Sequence, residues 1–176
     1  MGPLAVIFVL AAAAPAGLRA AVRFGFGRDA SVELTRLWAE SIAAHEERVA
    51  CMAAERRDGG WSITAIRELA PSGADSASIS SAASLRECRP PEWVGTVHTH
   101  IAIFDGQPFT TFSASDRQVM TRWRKRWEME GVFCVLYSET MAHCEGDGDD
   151  SEDMVYAAAA PARPAPQRGN VILGGH

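Results

Sequence analysis

Long apolar runs are scarce in this chain of 176 residues. The N-terminal one, Leu4 to Ala14, is too short to cross a bilayer comfortably, so no stable membrane span is expected. Basic residues are missing ahead of Arg19, so the run lacks the usual front flank of a secretory signal. Pro15 nevertheless breaks it, and small residues follow at Ala14-Pro15-Ala16 and Leu18-Arg19-Ala20, as in a cleavage zone. Two readings stay open: residues 1–20 are a signal peptide and the protein is exported, or they are an apolar segment of a cytoplasmic protein. Excess positive charge is also missing. Seventeen Lys and Arg against 22 Asp and Glu leave a net charge of −5, which argues against a general nucleic-acid binder. The four cysteines, Cys51, Cys88, Cys134 and Cys144, lack zinc-finger spacing. Cys134 and Cys144 are placed to meet across a hairpin turning near Ser138-Glu139-Thr140, as a disulfide in an oxidising compartment. Buried, reduced thiols are the alternative. No internal repeat or domain boundary breaks residues 21–160, and a Pro- and Ala-rich linker and tail occupy 161–176.

What remains is an alternation of helical and strand patterns. Ser31 is placed to cap a helix to about Ala44, with Leu34, Leu37, Trp38 and Ile42 at helical spacing. Arg48 to Ala54 reads as a strand, Asp58-Gly59-Gly60 as a turn and Trp61 to Leu69 as the return strand. Pro71 to Ser84 is an irregular connection with room for a short helix at 80–85. Val94 to Val97 leads into the central strand. Ser113 opens a second helix, reaching about Glu130, with Val119, Met120, Trp123 and Trp127 as its apolar stripe. Val132 to Ser138, Met141 to Glu145 and Met154 to Ala160 complete the strands, with an acidic loop between the last two. The fold class expected is α/β: a mixed sheet packed by two main helices.

The chemistry concentrates in Val97-His98-Thr99-His100. Two histidines at i and i+2 share one face of a strand, because side chains alternate. Asp116 lies on the inward stripe of its helix, and an inward carboxylate needs a partner. Two imidazoles and a carboxylate leave a fourth position for water, the donor set of an open catalytic zinc site. The competing reading makes the histidines polar residues of a half-buried strand and Ser113-x-x-Asp116 a capping box; capping and metal binding can also coexist.

These residues resemble the signature of the JAMM/MPN (JAB domain) zinc metalloproteases: His-Thr-His after an apolar strand, then Ser-x-x-Asp opening a helix. The resemblance spans roughly residues 30 to 140. It implies an MPN-like domain with zinc at a strand end, held by His98, His100 and Asp116. It implies Glu47, at the junction of the first helix and strand, as general base, in preference to its neighbour Glu46. It implies Ser113 as a hydrogen-bond donor to the tetrahedral oxyanion. The implied substrate is a peptide, or the tail of a ubiquitin-like or sulfur-carrier protein. Three departures stand out. Residues 101–115 separate the second histidine from the aspartate, about five more than the family's spacing. Phe112 stands where the family has proline, and Ala50 where glycine is common.

Other patterns point to surface. Arg122, Arg124, Lys125 and Arg126 interleave with Trp123 and Trp127, as nucleic-acid surfaces do, yet at helical spacing the tryptophans turn inward and the cations outward. Asp147 to Asp153 lacks a full calcium-loop pattern. His45, His143 and His176 show no evident partners in the sequence. Two rival functions remain. One is a non-catalytic MPN-fold interaction module. The other is a different HxH metallohydrolase, such as a phosphoesterase.

Overall fold

A computed structural model describes residues 24–57, 59–70, 81–146 and 151–157. The signal-like segment, most of the 71–84 connection, part of the acidic loop and the 161–176 tail lie outside them. Within them the chain runs β1 (Phe24–Phe26), α1 (Arg28–Ala44), β2 (Val49–Arg57), β3 (Gly60–Glu68), α2 (Ser81–Glu87), β4 (Gly95–Thr99), β5 (Ile103–Phe104), β6 (Gln107–Pro108), α3 (Ala114–Trp127), β7 (Val132–Leu136), β8 (Met141–Glu145) and β9 (Ser151–Val155). Seven strands form one mixed sheet in the order β1-β3-β2-β4-β7-β8-β9. β4 sits at its centre, antiparallel to β2 and parallel to β7. The sheet curls until its two edges nearly meet. Phe24 N–H donates to Glu152 Oε2 at 3.2 Å, and the Phe26 and Tyr156 rings meet edge-on.

Strand alternation divides the core. Ala50, Met52, Val97, Val132, Cys134 and Leu136 turn inside the curl, onto Ala30, Leu34 and Leu37 of α1. Phe133 and Val135 take the other face, with Met120 and Trp123 of α3 and Phe112. Cys51, Leu69, Cys88 and Trp93 form a third cluster. Two disulfides cross these layers, Cys51–Cys88 and Cys134–Cys144. The second joins directly opposed residues of the β7–β8 hairpin, as the turn near Ser138 suggested. The first ties α2 to β2. The Cys88 carbonyl also accepts from Trp123 Nε1 at 2.8 Å, so α3 is anchored through the same residue.

Several element ends differ from the sequence expectation, each for a tertiary reason. α1 starts at Arg28 with Gly27 as N-cap, not at Ser31, because Gly27 N–H is bonded to Ile63 O of β3 at 2.8 Å. The inward residue near its C-terminus is Ser41, fully buried, while Ile42 is exposed. β9 begins at Ser151 rather than Met154. Its early acids have partners: Glu152 at Phe24 N and Asp153 at His143. A third helix, α2, joins the two main ones, and no helix among the described residues is long and apolar enough to cross a membrane.

One glycine is required by the central pairing. A Cβ at Gly95 would stand 1.7 Å from the Val132 carbonyl oxygen, inside the β4–β7 ladder. Backbone on both sides leaves no cheap relaxation. Gly95→Ala is therefore expected to lower the unfolding free energy by about 2 kcal/mol or more, read as a lower urea midpoint.

Candidate metal centre

β4 delivers the two histidines by simple alternation. His98 points to the α3 face, Thr99 to the α1 face, and His100 follows the strand end. The backbone is held on both sides: Thr99 N–H donates to Arg48 O at 3.0 Å and His100 N–H to Leu136 O at 2.8 Å. Asp116 arrives from the first turn of α3. The expected capping box is complete there. Ser113 Oγ accepts from Asp116 N at 3.2 Å, and Asp116 Oδ2 accepts from Ser113 N at 2.7 Å. Ser113 Oγ also donates to Oδ2 at 2.6 Å. The cap thus fixes the carboxylate as well as the helix end.

The three side chains converge. His98 Nε2 and His100 Nε2 lie 3.0 Å apart. Asp116 Oδ1 is 3.5 Å from His98 Nε2, and Oδ2 is 3.4 Å from His100 Nε2. Tetrahedral coordination with bonds of about 2.0–2.1 Å places ligand atoms about 3.3 Å apart. The separations seen here fit that figure. His100 Nδ1 faces the Phe109 carbonyl at 3.0 Å. A carbonyl only accepts, so Nδ1 carries the proton, and neutral His100 turns its Nε2 lone pair into the site. Nitrogen and oxygen donors with one shared focus fit zinc or a similar borderline cation.

Electrostatics support a cation at this point. Burial pushes the Asp116 carboxyl up, but bonds from His100 and His98, and from Ser113, outweigh it and hold the group far below the ordinary carboxylate range. Burial pushes His100 down, yet its bonds to Asp116 and to the Phe109 carbonyl, with the charges of Glu47 and Asp116, raise it above the ordinary histidine value. The Glu47 charge is therefore felt at His100.

Glu47 is held by residues that the sequence reading did not single out. The Arg48 N–H donates to Thr99 Oγ1 at 2.8 Å. The Thr99 and Ser41 hydroxyls lie 2.6 Å apart, and Ser41 Oγ donates to the Glu46 carbonyl. Because Ser41 spends its proton on that carbonyl, Thr99 donates to Ser41. A directed chain thus runs from Arg48 N–H through two buried hydroxyls to Glu46 C=O, and it brackets Glu47. The available signal was polarity: Thr99 falls between the two histidines, on the strand's apolar side, and needed a partner.

Phe112 is buried, and its ring centre lies 5.8 Å from that of His98 with the planes tilted. His143 has partners after all: its Nδ1 lies 3.0 Å from Asp153 Oδ1 and its Nε2 3.3 Å from Glu145 Oε1. Glu145 in turn takes a bidentate bond from Arg117 at 2.9 Å. Arg122, Lys125 and Arg126 are exposed, whereas Arg124 is half-buried and donates to Gly146 O. His45 is the left-handed C-cap of α1.

Compared with known family models and with curated proteins, the chain finds no match.

Zinc titration tests the centre. One ion per chain is expected in the wild type and far less in His98→Ala/His100→Ala, by elemental analysis. His100 holds its proton more tightly than free histidine, and zinc must displace it. Affinity is therefore expected to be full above that raised pKa and to fall below it by about tenfold per pH unit for each proton displaced.

Proposed function

We propose that the chain is a zinc-dependent metallopeptidase or isopeptidase of the JAMM/MPN type, with an MPN-like fold. The observation that carries this is the convergence of His98, His100 and Asp116 at tetrahedral separations, with Glu47 in electrostatic reach of the same point. His98 Nε2, His100 Nε2 and an Asp116 oxygen would hold the ion. When bound, zinc supplies a Lewis acid for the scissile carbonyl and lowers the pKa of a water toward neutrality.

The chain's own residues supply the rest. The Glu47 carboxylate takes the proton released by the attacking water and later hands it to the leaving amine nitrogen. The Ser41–Thr99 hydroxyl chain keeps both peptide groups beside Glu47 in place, so the backbone that carries the proposed base is fixed. The Phe109 carbonyl keeps the proton of His100 on Nδ1, away from the reacting atoms. Ser113 first positions Asp116. To donate to an oxyanion its hydroxyl must turn away from Oδ2, to which it now donates. The substrate class is a peptide or isopeptide, including the tails of ubiquitin-like or sulfur-carrier proteins.

Glu47→Gln separates this reading from its rivals. It is expected to keep one zinc per chain and to lose about a hundred- to ten-thousand-fold in kcat on a peptide substrate. A non-catalytic interaction module would show no turnover to lose. Turnover of a phosphoester but of no peptide would assign the site to a phosphoesterase.

A further inference from the structure

The segment between His100 and Asp116, where the chain exceeds the family spacing, is built as a hairpin. Ile103 pairs with Pro108 and Phe104 with Gln107, antiparallel. The turn residues Asp105 and Gly106 both have positive φ, 49° and 77°. That is the primed geometry that matches strand twist, and Asp-Gly is its favoured pair. The returning strand runs into Phe109, whose carbonyl is bonded to His100 Nδ1 and whose ring centre lies 5.2 Å from the imidazole. The hairpin is thus tied to a metal ligand through its backbone.

Two apolar side chains of this segment, Ile103 and Phe109, are not spent on the core. Ile103 is 72% exposed and Phe109 38%. Five large hydrophobic residues are prominently exposed among the described residues, and these two belong to one short hairpin beside the metal centre. Ile103 is three residues from His100, within about 11 Å by chain reach. Apolar surface concentrated at the rim of a polar cluster marks a contact surface.

Resting on the peptidase reading above, we propose that this hairpin is the specificity wall of the site, and that Phe109, with Ile103, receives an apolar side chain flanking the scissile bond. Phe109 touches the ring of a ligand, so a side chain lying on it belongs to a residue next to the bond being cut. An acidic side chain there would stand near the Asp116 carboxylate and lose its water against an aromatic ring. A leucine or phenylalanine would cover the exposed ring instead.

The test uses the zinc-loaded full chain and quenched peptides identical except for Gly, Leu, Phe or Asp at the positions flanking the bond. Leu and Phe peptides are expected to exceed Gly and Asp peptides in kcat/KM by about tenfold or more. Phe109→Ala is expected to bring the ratio to within about twofold, mainly through KM, and Phe109→Leu to restore most of it. Zinc content should stay at one per chain, because the carbonyl at position 109 remains. The same peptides titrated onto the Glu47→Gln protein should bind in the same order. Equal rates across the wild-type set, an equal loss on every peptide in Phe109→Ala, or unselective binding overturns the proposal. Selective binding without any hydrolysis would sink the peptidase reading and leave the apolar wall standing. Neither hydrolysis nor binding would sink both.

Discussion

The alternation of side chains along β4 is the constraint on which everything else rests. His98 and Thr99 are neighbours in sequence and stand on opposite faces of a central strand. One face carries a candidate metal ligand, and the other carries the hydroxyl that bonds Ser41 and the Arg48 amide. A single strand therefore positions both halves of the centre, the donors on the α3 side and the Glu47 turn on the α1 side. A one-residue slip would exchange the faces and destroy both. The sheet guards against it. β4 is paired along its length with β2 and with β7, and Gly95 fits so closely under Val132 that the register has no slack.

Much of this was legible in the residues, because local chemistry and tertiary need coincided. The i, i+2 histidines demanded a strand, and they end one. Ser113 and Asp116 read as a capping box, and they form one. Asp116 on an inward stripe needed partners, and it found two imidazoles. Cys134 and Cys144 were placed to meet across a hairpin, and they do. What stayed hidden was set by contacts distant in sequence. The start of α1 follows from Gly27 bonding to β3. Ser41 displaces Ile42 from the inner face because a hydroxyl serves two buried polar groups there. The Cys51–Cys88 link joins cysteines 37 residues apart, a pairing that no spacing rule reveals. The partners of His143 come from its own strand and from β9, across the edge of the sheet.

Phe112 and the hairpin brace the two histidines from outside the strand. The Phe112 ring adds packing beside His98 and joins the cluster of Met120, Trp123, Phe133 and Val135. The Phe109 carbonyl is the acceptor that fixes the His100 ring. The strand and the capped helix that carry His98, His100 and Asp116 are fixed independently of both.

The position of β4 also bears on the order in which the molecule is made. Its partners lie far off on either side in sequence: Val49 opposite His98, 49 residues before it, and Val135, 37 residues after it. Such contacts are slow to form, since long loops must close before any pairing offsets the lost chain entropy. Asp116 can meet the histidines only after α3 docks on that assembled sheet. An ion arriving earlier would find His98 and His100 without their carboxylate. Loading would then be a late event, with an ion stabilising a finished fold rather than templating it.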